Sequence, residues 1–109
     1  MHRIRILHKD LYCIAGRFSK RDKLGIHARI EAQCLHALEL AIEAAFKPTT
    51  QKLGDLKNLR VRAEVLKHLV RTEHELQIID DKTYLRISEQ LVEISKMTNG
   101  WINYTQKGA

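Results

Sequence analysis

The chain has 109 residues, 44% of them apolar, with one Pro, five Gly and two Cys; this describes one ordinary globular domain and excludes disordered, collagen-like and disulfide-stapled classes. No apolar run approaches the roughly 20 residues of a membrane span, and Met1-His2-Arg3-Ile4-Arg5 lacks the apolar stretch of a secretory signal, so a cytoplasmic protein with no membrane association is expected. The formal charge of +6 points to an acidic partner, with phosphate the first chemistry to consider.

Four helical segments account for nearly the whole chain. The first carries Leu7, Leu11, Ile14 and Phe18, stepping four, three and four, the repeat of one helix face. Ser19-Lys20-Arg21-Asp22 then reads as a connection, with Asp22 as N-cap of the second helix. That helix presents Ile30, Cys34, Leu35, Leu38, Ala41, Ile42 and Ala45, and it stops near Phe46-Lys47-Pro48 because Pro48 disfavours helical geometry at Lys47. Thr49 or Thr50 caps the third helix, unless Gly54-Asp55 marks its start. Its core positions are Leu56, Leu59, Ala63, Leu66 and Val70, with Leu69 and Leu76 widening the face. Asp80 or Asp81 caps the last helix, whose stripe runs through Tyr84, Ile87, Leu91, Ile94, Thr98 and Trp101. Asn99-Gly100 lies inside that stripe although Gly costs about 1 kcal/mol against Ala in a helix interior. The expectation is that Gly100 permits a close approach and Trp101 anchors the helix end. Connections this short force antiparallel neighbours, so the predicted fold is all-α, an antiparallel up-down-up-down four-helix bundle forming a single domain over residues 1–109. Its core is small, which makes a homo-oligomer a reasonable expectation. Cys13 and Cys34 fall at or beside apolar stripes and read as buried free thiols.

Charge is unevenly spread. Residues 1–29 hold eight Lys or Arg against Asp10 and Asp22, residues 52–71 hold six against two acids, and residues 72–95 reverse the balance with six acids against two bases. In the third helix, Lys57, Arg60, Lys67 and Arg71 follow core positions by one residue, which turns them about 100° away from the core. With Arg3, Arg5, Arg17, Lys20, Arg21, Lys23 and Arg29 they are the candidate contacts for phosphates; the alternative is a solvated helix face. Aromatic residues add little, because Phe18 and Trp101 lie on apolar stripes, while Tyr12, Tyr84 and Tyr104 read as edge residues. Binding is therefore expected through the nucleic-acid backbone.

Enzymatic constellations are weak. No Glu is followed by His three residues on, as a di-iron bundle requires, so no metal or cofactor is expected. Glu64 and His68 form a lone pair one turn apart and read as a surface contact. An Arg, four to six residues and then His, the spacing of HEPN-type ribonucleases, occurs at Arg29/His36 and Arg62/His68 among other places. Nine Arg and six His produce roughly 1.5 such spacings by chance. The remaining histidines read as surface or cap residues.

The segment from Leu59 to Leu76, followed by Asp80-Asp81-Lys82-Thr83-Tyr84 and by Ser88 to Ile102, resembles the C-terminal half of the accessory variability determinant (Avd) proteins of diversity-generating retroelements. Gly100-Trp101-Ile102 after Glu93-Ile94-Ser95-Lys96-Met97 is the most specific part. The Leu11-Tyr12 helix, the basic Ser19-to-Gly25 connection and the long helix opening at Ile26 fit as well. The resemblance implies a small basic four-helix bundle that assembles as a homopentamer, binds the retroelement's reverse transcriptase and nucleic acid, RNA or DNA, and supports mutagenic copying of a template RNA into cDNA. It implies no catalytic site; the basic residues named above are then the candidates for nucleic-acid or reverse-transcriptase binding, and Gly100 and Trp101 the candidates for structure or oligomer contacts. An interaction protein of the broader four-helix-bundle family encoded in ribosomal RNA intervening sequences, without a retroelement, is the alternative, and an HEPN-like ribonuclease a more distant one.

Overall fold

The computed structural model describes residues 1–108. Among them are four long helices, α1 (His2–Ile14), α3 (Ile26–Phe46), α4 (Leu53–Glu75) and α5 (Asp81–Gly108), and one short helix, α2 (Lys20–Leu24). The helix α1 packs on α3 and α5, α3 also packs on α4, and α4 on α5, which closes a ring of four around one core. The molecule measures 47 × 21 × 19 Å, and α5, at about 1.5 Å per residue, spans most of the long axis.

In α1 the buried positions are Ile4, Leu7 and Leu11. The chain then tightens into a 3-10 turn, Ala15–Arg17, and Phe18 leaves helical geometry and packs at the edge of the core. The cap of α2 is Ser19 rather than Asp22: the Ser19 hydroxyl accepts from the Asp22 amide at 3.2 Å. Ser19 has the extended backbone that an N-cap requires, whereas Asp22 already lies in the first turn. Gly25 joins α2 to α3 directly. A Cβ there would sit 2.8 Å from the Arg21 carbonyl oxygen, so a side chain would force the two helices apart.

Two apolar stripes compete on α3, and packing selects one. Ile30, Cys34, Ala37, Leu40, Ala41 and Ala44 are buried, while Leu35, Ile42 and Ala45, expected in the core, are exposed. The chosen stripe is the one rich in Ala, which lets neighbouring backbones come close. Cys34 is buried with its thiol 3.8 Å from the Ile4 carbonyl, and burial, with the negative charge of Glu31, pushes its pKa up to about 12. Cys13 is exposed, against expectation, because the stripe of α1 passes through Leu7 and Leu11 and leaves position 13 outside it.

Lys47 adopts an extended conformation before Pro48 and ends α3 as expected. No Thr caps α4: Thr49–Gln51 form a 3-10 turn, and the helix opens at Leu53, beside Gly54-Asp55. Leu56, Leu59, Ala63, Leu66 and Val70 are buried as expected. Leu76, by contrast, lies past the helix end and is 62% exposed. There the Ile78 amide donates to the Glu73 carbonyl at 3.0 Å and the Gln77 amide to the His74 carbonyl at 2.9 Å. With Gln77 at φ 62°, this is a Schellman end built without glycine. Asp80 caps α5, accepting from the Thr83 amide at 2.8 Å.

The helix α5 runs unbroken through Asn99-Gly100 and buries Ile87, Leu91, Ile94, Thr98, Ile102 and Thr105. Trp101 is half-buried against the core, with the Lys52 ammonium 5.6 Å from the ring centre. Gly100 is exposed, and a Cβ at that position would meet nothing within 4 Å. The close approach expected at this glycine is therefore absent within the chain. Gly100→Ala should then stabilise the isolated bundle by about 1 kcal/mol, read as a rise in Tm. A loss of stability would mean that another surface packs on Gly100.

Candidate nucleic-acid interface

The basic positions of α4 recur at Lys57, Arg60, Lys67 and Arg71, steps of three, seven and four that keep one helix face. Lys57, Arg60 and Arg71 are exposed, and Lys67 is half-exposed. The stripe covers about 21 Å along the axis. Glu64 interrupts it and engages Lys67 at 2.9 Å, so Glu64 does not pair with His68. Two contacts fix its direction. Arg62, about 180° round the helix from the stripe, donates to Gln33 of α3 at 3.2 Å. His74, on the stripe's side, meets Asp81 of α5 at 2.7 Å and stacks on Tyr84 at 4.2 Å. The stripe therefore borders the seam between α4 and α5.

Across that seam α5 is almost free of acid. Continuing the Asp81 side at helical spacing gives Ser88, Val92, Ser95 and Asn99. Glu93 lies on the other flank, where it approaches Arg3 of α1 at 3.9 Å. Positive charge on α4 thus adjoins uncharged side chains on α5, and within the stripe itself the Glu64 carboxylate is engaged by Lys67.

The remaining basic residues do not extend this face. Arg29 stands one turn before Gln33 and so borders the opposite seam, between α3 and α4. Arg3 is held toward α5 by Glu93, and Arg5, two residues on, projects about 200° away from it. Lys20, Arg21 and Lys23 are exposed on α2 at the end of the bundle that also carries the acidic turn between α4 and α5. Arg21 shares a hollow of about 410 Å³ with Leu76 and Ile78, and Arg17 shares a cleft of about 370 Å³ with Asp10, Asp80 and Arg86. The N-terminal bases therefore do not join the α4 stripe in the single surface expected of them: the α4 stripe and the α2 end are separate patches, because α2 packs on α3 while the stripe borders α5.

That same cleft is braced by a two-pronged ion pair. Arg86 donates to Asp10 through Nε at 2.9 Å and through a terminal nitrogen at 2.8 Å, and Gln90 adds a bond at 2.8 Å. The Arg86 hydrogen bond, with Gln90 and against the opposing effect of burial, holds the Asp10 carboxyl below its usual pKa. It contributes stability that is present above about pH 4 and is lost as pH falls through the depressed value.

His27 and Glu73, both 0% exposed, are the residues that sequence reasoning missed; His27 is neither a surface nor a cap residue. The imidazole Nδ1 lies 2.7 Å from Glu73 Oε2, Nε2 lies 2.7 Å from the Leu11 carbonyl, and Phe18 meets the ring edge-on at 4.8 Å. A signal was available. His27 begins the register His27, Ile30, Cys34, Ala37 in α3, and Glu73 ends the register Leu59, Ala63, Leu66, Val70 in α4, so each occupies a core position. Among the ribonuclease-like spacings, Arg29, His36 and His68 are exposed, and Arg62 is taken up by Gln33.

Among the described residues no cluster of His, Cys, Asp or Glu is arranged to hold a metal ion, and no helix is long and apolar enough to cross a membrane. No curated protein and no solved structure matches the chain. A family model described as bAvd-like matches residues 1–105, nearly the whole bundle from α1 to the last turns of α5, and the chain belongs to this bAvd-like family, that of the Avd protein of diversity-generating retroelements.

Proposed function

We propose that this chain is a non-enzymatic accessory protein of a diversity-generating retroelement, one that binds the reverse transcriptase and nucleic acid and so supports mutagenic synthesis of cDNA from template RNA. The observation that carries this reading is membership of the bAvd-like family over residues 1–105. The α4 stripe supports the nucleic-acid part, since it offers Lys57, Arg60, Lys67 and Arg71 beside a neutral flank of α5. Phosphate recognition by such a face is tolerant of sequence and sensitive to salt, which suits a protein that assists copying without choosing bases. The reverse transcriptase would dock through an acidic patch on this face or on the Arg17-to-Lys23 end.

The same reading takes the helices as running up-down-up-down, supported by pairs that join opposite ends of neighbours, such as Lys47 with Asp55 and Asp10 with Arg86. It takes the working form as a cytoplasmic homopentamer, with Trp101 near a subunit contact. The test is a reconstituted reaction containing the reverse transcriptase encoded beside this chain and its template RNA. cDNA yield is expected to depend on added protein, and the two proteins are expected to co-purify. Equal cDNA yield with and without the protein overturns the proposal.

A further inference from the structure

The environment of His27 holds more acceptors than its ring holds donors. Nδ1 faces the Glu73 carboxylate of α4 at 2.7 Å. Nε2 faces the Leu11 carbonyl of α1 at 2.7 Å and the Glu31 carboxylate, one turn on in α3, at 3.3 Å. A carbonyl only accepts, so Nε2 must carry a proton. An ionised Glu73 likewise requires a proton on Nδ1. The fourth neighbour, Phe18 from the connection after α1, offers only a ring edge at 4.8 Å. Glu73 Oε1 is buried and has no hydrogen-bond partner, so the interaction of this carboxylate with the protein rests on the contact of Oε2 with His27.

We propose that His27 is a proton-operated latch: while both ring nitrogens carry hydrogen it ties the end of α1 to the end of α4 through the start of α3, and loss of one proton releases the end of α1. Deprotonation would leave a ring lone pair facing either the Leu11 carbonyl or the Glu73 carboxylate, acceptor against acceptor in a site without solvent. Leu11 is the weaker anchor of the two, since α1 is the shortest of the four long helices and Leu11 lies in its last turn. Its release would also free Phe18 and the basic helix α2 that follows. The latch does not depend on what the basic surface binds.

Its direction follows from the neighbours. Burial favours the neutral ring, but the hydrogen bonds to Glu73 and Leu11 and the charges of Glu73 and Glu31 outweigh it and hold the pKa above the ordinary 6.5. The stability contributed by His27 is therefore fully present below that ordinary value and is lost as pH rises through the raised one.

Nitrogen-15 NMR of the ring, combined with amide hydrogen exchange between about pH 6 and pH 10, tests the latch on the unaltered protein. Both ring nitrogens should be protonated at neutral pH. As the ring titrates, exchange at residues 8–15 should rise at least tenfold beyond the intrinsic increase, while residues 56–66 of α4 stay protected. In His27→Gln this local rise should no longer depend on pH. A ring that is neutral at neutral pH, or one that titrates without loosening residues 8–15, overturns the proposal, as does a local rise that persists in His27→Gln.

Discussion

Reversing Arg60, Lys67 and Arg71 to Glu is expected to abolish binding to RNA and DNA at physiological salt while leaving the helical content intact. These side chains lie outside the core, so the substitutions remove no buried contact. Each phosphate contact releases counterions, and the slope of log affinity against log salt is about −0.9 per phosphate on duplex DNA. Loss of three cations should flatten that slope by about 2–3, and the three new carboxylates would repel the backbone in addition. The matched control is reversal of Lys20, Arg21 and Lys23 on α2. Because the two patches are separate, the two triples should differ, with the larger loss on α4. Titration at several salt concentrations decides between them. If the α4 triple still binds with an unchanged slope, the stripe is a solvated face, and the end carrying α2 becomes the surface to study.

The second large effect is expected at Glu73. Glu73→Ala leaves the His27 ring buried without its carboxylate, and breaking one side of a buried charged pair costs about 3–5 kcal/mol. For a domain of this size that corresponds to a fall in Tm of more than about 10 °C. Replacing both partners by apolar residues, His27→Leu with Glu73→Leu, should cost much less than the single change, because no unpaired charge remains in the core. The pair would then serve specificity of packing more than net stability. A Glu73→Ala protein with a Tm within about 2 °C of the parent would mean that the carboxylate reaches solvent.

Periodicity was sufficient for the helical core. Leu56, Leu59, Ala63, Leu66 and Val70 of α4, and Ile87, Leu91, Ile94 and Thr98 of α5, can each be read from spacing alone, because one apolar stripe stands clear of polar neighbours. The end of α3 was equally legible, since Pro48 constrains the residue before it whatever the tertiary context. Four long helices and a charged face on α4 are properties of the chain itself. The sequence motif around Gly100 and Trp101 also suggested the family that the match over residues 1–105 bears out.

Other features depended on which surfaces meet. On α3 the apolar residues form two overlapping stripes, and only contact with α1 and α4 selects the one through Ala37, Ala41 and Ala44 and leaves Leu35 and Ile42 outside. The number of basic patches is likewise a packing result, because charge counted along the chain does not record which seam each helix face borders. His27 and Glu73 are 46 residues apart, and each looks like an ordinary polar residue in its own helix. They meet only when the start of α3 and the end of α4 come together beside Leu11, where the His27 ring bridges the Glu73 carboxylate and the Leu11 carbonyl. Local spacing fixes which face of a helix can be apolar, whereas the pairing of buried charges is a property of two helix ends held side by side, and that is decided only in the folded bundle.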